Sequence, residues 1–522
     1  MDEPSLRAGT RPLDLVRGVS ARGWFVVVLA AGMALRLALA YVLFPGQGFV
    51  TDMRLFAGWA EDIVRVGPGG FYAASGADYP PGYIYVLWLL GETANVLAPV
   101  LGVAASDVIL TLLKLPAIAA DSVIAVLLYA AGTSWFGGRS GVVAAALYLF
   151  IPVTWYDSAL WGQVDAVGAG LMLAAILALT RGWSGRALML SVLAALVKPQ
   201  DLIVFVVVLP VLTRRHVQLG VPGVRRLAAL TGLAAVVGIA LILPFDLPRY
   251  APAGLSNVPV VSSVAGFVGL LSSTSNEFPV LTANAFNGWA LVGNPPLTAV
   301  AAGSGSWVSD STTAIAGLSA AELGAALLVA VGLAVAVGLL LDEDRVRVVL
   351  GFAVVAFAFY AVPTRVHERY LFAFFPAGAL LAAPYVGGAV TYLGTALLNA
   401  VNLHAVLGTG GSIGGFGGGG GGGSGGFGGG GSGGFGGGGF GGRGGLPGGG
   451  SQGSSLTAIQ LPFVDLARSE FVVTFVAVGQ TLAFVALLGI WLYVAFGRRI
   501  AAMWSRGDAP GATDPNPLPE VR

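Results

Sequence analysis

A few short stretches hold the residues that could do chemistry. Thr364-Arg365-Val366-His367-Glu368-Arg369-Tyr370 groups three cationic or potentially cationic side chains in one run. Such a group grips phosphate oxygens, and arginine does so through two parallel hydrogen bonds. Trp155-Tyr156-Asp157-Ser158-Ala159-Leu160-Trp161-Gly162-Gln163-Val164-Asp165 sets two acids among tryptophans and a glutamine. Aromatic rings beside carboxylates suit a sugar, although such a run also fits an interfacial aromatic belt. Lys198-Pro199-Gln200 breaks an apolar run, the membrane pattern of a helix tip aimed at a binding site. Thr51-Asp52 opens a run in which Leu55, Trp59 and Ile63 recur at helical spacing. On its own this reads as an N-cap and an amphipathic helix on the bilayer. Asp78-Tyr79-Pro80-Pro81 is a rigid turn, and Leu281 to Trp289 is a weaker polar signal in a long loop.

The elements around these residues must be membrane helices. Of 522 residues only 27 are basic and 26 acidic, 10% together, against about 25% in a soluble domain. Hydrophobic residues make up 56% and mean hydropathy is +0.82. Those values exclude a water-soluble enzyme, a nucleic-acid binder and a disordered chain. The absence of cysteine excludes disulfides, thiolate metal sites and cysteine nucleophiles. The alternating strands of an outer-membrane barrel are missing. The sequence therefore predicts an all-α, polytopic transmembrane bundle of about 12 spans, with amphipathic interfacial helices in its outer loops.

Arginine placement orients the spans. Arg7, Arg11, Arg17 and Arg22 precede the first span, Trp24–Phe44, and predict a cytoplasmic N-terminus. If Tyr83–Val103 and Leu110–Tyr129 both crossed, Arg139, Arg214, Arg215, Arg225 and Arg226 would face outward, against the positive-inside bias. Tyr83–Val103 is therefore expected to lie in the interface or re-enter. The domain reading is a cytoplasmic tail (1–23), a transmembrane catalytic unit (24–407), a Gly-rich extracytoplasmic loop (408–455), an interfacial segment with a last span (456–497) and a cytoplasmic tail (498–522). The loop holds 32 of the 80 glycines and is expected to be a disordered linker. Both termini would be cytoplasmic in a cell (plasma) membrane protein. The unusual polar residues would then gather on the extracytoplasmic side, where an embedded charge by default suggests function.

Taken in order, these stretches resemble glycosyltransferase superfamily C, the membrane enzymes that use polyprenyl-phosphate sugars. The likeness is to bacterial proteins similar to GPI-anchor mannosyltransferases and to the glucosyltransferases that extend lipid-linked oligosaccharide. The residues that carry it are Asp52, the Asp78-Tyr79-Pro80-Pro81 turn, Lys114 and Asp121, the run Ser158 to Asp165, Lys198 with Gln200, Asn284 to Trp289, and His367-Glu368-Arg369. The resemblance spans about residues 24–385 and implies transfer of a hexose, mannose or glucose, from a polyprenyl-phosphate sugar to a lipid-linked or cell-envelope glycan, with inversion.

It implies Asp52 as the general base. It also implies Lys198, Arg365, His367 and Arg369 at the donor phosphate, and Asp78, Tyr79, Asp157, Trp161, Gln163, Asp165, Asn284, Asn287, Trp289 and Glu368 at the sugar or acceptor. Without a close acidic pair such as D-x-D, no metal or other cofactor is expected, a divalent cation being the open alternative. Donor, acceptor and bilayer are the expected partners, and nucleic acid is not. The rival class is a transporter or flippase for lipid-linked sugar. Its intramembrane charges would look the same, but it should carry an internal repeat, and none is evident.

Overall fold

A computed structural model describes residues 20–255, 258–292, 308–311, 314–315, 317–409 and 456–507. Arg7, Arg11, Arg17, the Gly-rich stretch 410–455 and the tail from 508 lie outside the described residues. The fold is all-α, a polytopic bundle of apolar helices, with strands of only two residues.

Helix α1 (Ala21–Ala38) is capped by the Ser20 hydroxyl, which accepts from Gly23 N. The chain then reaches β1 (Gln47–Gly48), α2 (Val50–Val66) and α3 (Phe71–Ser75). The helix α4 (Pro81–Leu101) leaves that face, and the short α5 (Ala105–Leu112) returns to it, since Lys114 Nζ donates to the Gln47 carbonyl at 2.7 Å. Helices α6 (Leu115–Phe136) and α7 (Gly138–Phe150) form a close hairpin. A Cβ on Gly132 would sit 2.8 Å from the Gly141 Cα, so only glycine admits this approach. After α7 comes α8 (Pro152–Trp155), whose continuation Tyr156–Trp161 is wound as a π-helix.

The arms α9 (Asp165–Thr180), α10 (Ser184–Ala195), α11 (Phe205–Val217) and α12 (Gly220–Ile242) follow, then α13 (Pro259–Ser275). The last arms are α14 (Ala320–Leu341), α15 (Arg345–Ala361), α16 (Phe374–Ala382), α17 (Val386–Leu407), the single turn α18 (Val464–Ala467) and α19 (Glu470–Gly507). Beyond the Gly-rich stretch, β2 (Thr457–Ala458) pairs in parallel with β1, which ties the last segment to the first loop.

Among the described residues seven helices are long and apolar enough to cross a membrane, or eight if the bent pair around Pro152 is one span. This falls short of the 12 expected. Several expected spans are short apolar helices such as α9 and α10. A helix of 12 residues rises about 18 Å, less than the ~30 Å of a hydrocarbon core. Such arms are buried among others, where neighbours rather than lipid satisfy their ends. The stretch expected to re-enter, now α4, has the length and composition of a span. The arginine argument required only that the chain regain its starting face before Leu115, and the return through α5 meets that requirement.

Two faces result. The near face carries β1, α2, α3, Lys198, the loop 281–292 and the run 363–369. The far face carries the turns after α6, α9, α11, α14 and α16. There Arg215 donates to both Glu343 oxygens at 2.9 Å and to the Leu179 carbonyl at 2.7 Å, Arg347 to the Val494 carbonyl, and Arg345 stacks over Trp135. The sequence contains no native cysteine. With cysteine introduced at Ala74 (near face) or Gln218 (far face), an impermeant thiol reagent added to intact cells should therefore label one site and spare the other. Equal labelling of both would overturn this division.

Candidate active site

The site starts from Asp52. Its helix begins at Val50 with Phe49 as N-cap, so Asp52 sits inside the first turn and neither it nor Thr51 is the cap that the sequence suggested. The buried face of α2 is Met53, Phe56, Ala57, Trp59, Ala60 and Ile63, whereas Leu55, expected in the stripe, is 41% exposed. The Asp52 carboxylate is thus available for tertiary contacts. Trp161 Nε1 donates to its Oδ2 at 2.8 Å, and Gln163 Nε2 donates to the same oxygen. The π-helix and the left-handed Gly162 (φ 87°) aim both donors at Asp52. Phe49 fixes the approach by stacking on Trp161 at 4.5 Å between ring centres.

A second layer of contacts surrounds that carboxylate. Gln163 Oε1 accepts from Lys198 Nζ at 3.2 Å. Lys198 also donates to Asp165 Oδ1 at 2.8 Å, and Gln200 Nε2 to the same oxygen at 3.1 Å. The Lys198 ammonium lies 5.4 Å from the Tyr79 ring centre. Arg369 joins the groups. Its Nη1 donates to Glu368 at 2.8 Å, while Nη2 stands 3.9 Å from Asp52 and Nε 3.9 Å from Asp165. The guanidinium lies 5.7 Å from the Trp161 ring centre.

The loop 281–292 backs the His367 segment. Ala283 N donates to the Val366 carbonyl at 2.9 Å, and Asn284 (φ 72°) bridges to His367. Asn287 and Trp289 spend their side chains as fasteners, donating to the Tyr360 carbonyl at 2.8 Å and the Val362 carbonyl at 2.7 Å. Asn402 holds the same loop, through the Asn284 carbonyl and Phe286 N, and sequence reasoning missed it. The available signal was a pair of asparagines, Asn399 and Asn402, on one face of an apolar helix.

One cavity of about 620 Å³ collects most of these groups. Of the expected residues, Asp52, Asp78, Tyr79, Trp161, Gln163, Lys198, Asn284, Arg365, His367, Glu368 and Arg369 line it. Asp165 adjoins it through Lys198. Asp157, Asn287 and Trp289 do not line it. Asp157 is fully buried, and neither carboxylate oxygen has a hydrogen-bond partner.

The four expected phosphate ligands are not equivalent. Arg365 is held by Asp310 at 2.7 Å and by Asn276 and the Ser275 carbonyl at the end of α13. Burial, then Arg369 and Lys198, hold the His367 imidazole well below its usual range, so it is neutral at pH 7 and offers a hydrogen bond rather than a charge. Lys198 and Arg369 carry the charge nearest Asp52. Among the described residues, no three His, Asp or Glu side chains are grouped to hold a metal ion.

No family model matches the chain, and no curated protein matches it. Among solved structures it is similar to the oligosaccharyltransferase of Archaeoglobus fulgidus in the apo form, at 14% identity and TM-score 0.40, over 74% of this chain and 52% of that one. It thus spans about half the length of that protein. It is also similar to ArnT from Cupriavidus metallidurans bound to undecaprenyl phosphate, at 15% identity and TM-score 0.26, over 74% of this chain and 80% of that one. Likeness at this level transfers neither residue roles nor an activity.

The cavity also holds Glu277, which no motif had marked. Burial, and then the neighbouring Asp78, push its carboxyl up to about 7. An unfolded chain releases that proton near the ordinary glutamate value, so the folded state binds more protons between about pH 4.5 and 7. Stability from this group is present at low pH and is lost as pH rises through 7. The unfolding midpoint of Glu277→Gln in detergent should fall less between pH 5 and 8 than that of the wild type. Parallel pH profiles would refute this assignment.

Proposed function

We propose that the chain is a superfamily C glycosyltransferase that moves a hexose from a polyprenyl-phosphate sugar to an acceptor hydroxyl at its near face. The observation that carries this reading is convergence. Residues scattered along the sequence from Asp52 to Arg369 border one cavity in a membrane bundle. The chemistry of that cavity suits the reaction. All three groups that address Asp52 face Oδ2, which leaves Oδ1 for an acceptor hydroxyl. The hydroxyl oxygen attacks the anomeric carbon, its proton passes to Asp52, and the bond from that carbon to the phosphate oxygen breaks. Polyprenyl phosphate leaves with the electron pair. Arg369 and Lys198, both largely withdrawn from solvent, then meet its charge. One displacement inverts the anomeric centre.

The near face is taken as extracytoplasmic, because the basic turns at Arg139, Arg181, Arg186, Arg214 and Arg215 all lie at the other end. The acceptor is then a lipid-linked or cell-envelope glycan, and the protein sits in the cell membrane. Transfer proceeds without a metal, so activity should persist in excess chelator.

Asp52→Asn tests the mechanism. The amide keeps the shape and can still accept from Trp161, but it cannot take a proton. Donor binding and thermal stability should persist while turnover falls by about 10²–10⁴-fold, the usual contribution of a general base. Near wild-type turnover with a competent donor and acceptor would remove Asp52 from this role.

A further inference from the structure

Glu277 lies at the end of α13, where three contacts fasten the chain to the rest of the cavity wall. Thr274 Oγ1 donates to the Asp78 carbonyl at 3.0 Å, Arg365 Nη1 donates to the Ser275 carbonyl at 3.1 Å, and the Phe278 ring meets His367 edge-on at 5.0 Å between centres. So held, Glu277 and Asp78 line the same cavity. Burial, and then the neighbouring acid, favour the protonated form of Glu277. Asp78 in turn feels Lys198, Asp52 and Arg369, whereas the charge acting on Glu277 is that of Asp78. The pair therefore extends the charged cluster outward from Asp52, with Glu277 as its far member.

We infer that Glu277 and Asp78 together bind the hydroxyls of a sugar ring, with Glu277 as a specificity-determining residue. Such a pair offers one O–H donor beside several acceptor lone pairs, the complement of adjacent sugar hydroxyls that both donate and accept. It carries net negative charge, so it repels phosphate and leaves that group to Lys198 and Arg369. Tyr79 and Phe278, the sequence neighbours of the two acids, line the same cavity and offer it apolar ring surface suited to the C–H face of a pyranose. The inference rests on the glycosyl-transfer reading only for the origin of the sugar.

The test uses the full chain in lipid nanodiscs and two separate probes, methyl α-D-mannopyranoside and farnesyl phosphate. Glu277→Ala should weaken glycoside binding by about tenfold, the loss expected for one or two hydrogen bonds, and leave farnesyl phosphate binding unchanged. Glu277→Gln, which keeps the side-chain volume, should weaken the glycoside less. It should also remove the infrared C=O stretch of a protonated carboxyl seen in the wild type. Equal glycoside affinity in wild type and Glu277→Ala, no glycoside binding by the wild type, or no protonated-carboxyl band would each overturn the inference. Failure of the wild type to bind farnesyl phosphate would instead remove the glycosyl-transfer reading and leave the glycoside result standing.

Discussion

A buried guanidinium organises the near face. Arg369 is 13% exposed and faces Glu368, Asp52 and Asp165 together. A charge withdrawn from water costs several kcal/mol unless partners replace the lost hydration. Two of those partners, Asp52 and Asp165, come from distant parts of the chain, so α2, the start of α9 and the turn after α15 must all arrive at one place. Only Glu368 lies within hydrogen-bonding distance, while the other two carboxylates stand at 3.9 Å. The guanidinium thus compensates three acids and saturates one. An anion arriving there would share the guanidinium with the three acids.

The far face meets the same need more cheaply. Its ion pairs, Arg215 with Glu343 and Arg347 with Asp342, keep partial contact with solvent. They close turns and hold neighbouring arms together, and pairs of this kind contribute little each. The costly burial lies elsewhere. Arg36 and Asp121, both fully buried, pair at 2.6 Å in the bundle interior, where Tyr148 and Ser158 also donate to Asp121. Ser158 belongs to the π-helix that ends at Trp161. The ion pair therefore reaches the site through one turn of backbone and helps fix the direction of the Trp161 indole. The resemblance had marked Asp121 without a role, and this contact gives it a structural one.

Much of this was legible in the sequence because its signals are local. Charge content and apolar runs predict a membrane bundle, and Lys198-Pro199-Gln200 predicts a broken helix whose tip carries polar groups. Long-range partners were not legible. Nothing local to Asn287 or Trp289 says that their side chains will fasten to the carbonyls of Tyr360 and Val362 rather than face a ligand. Helix starts blurred for a similar reason. Asp52 looks like a cap because acids favour helix N-termini, but the turn began earlier, at Val50. Among the described residues the count of about 12 spans is not confirmed, because several expected spans are apolar helices too short to qualify by length.

The electrostatics of the cavity follow from what each cation already holds. Asp310 engages Arg365, Asp165 engages Lys198 and Glu368 engages Arg369. His367 brings no charge at neutral pH, because burial, and then the two nearby cations, disfavour its protonated form. A phosphate entering this wall would have to compete with carboxylates rather than fill a bare positive hole. Competition of that kind limits how tightly an anion is held, and the proposed reaction, which ends in release of polyprenyl phosphate, has use for that limit. Asp310 holds Arg365 through Nε and Nη2 and leaves Nη1 on the Ser275 carbonyl and Asn276. Arg365 is thereby committed to the wall itself, and Arg369 and Lys198 are the cations left to face Asp52.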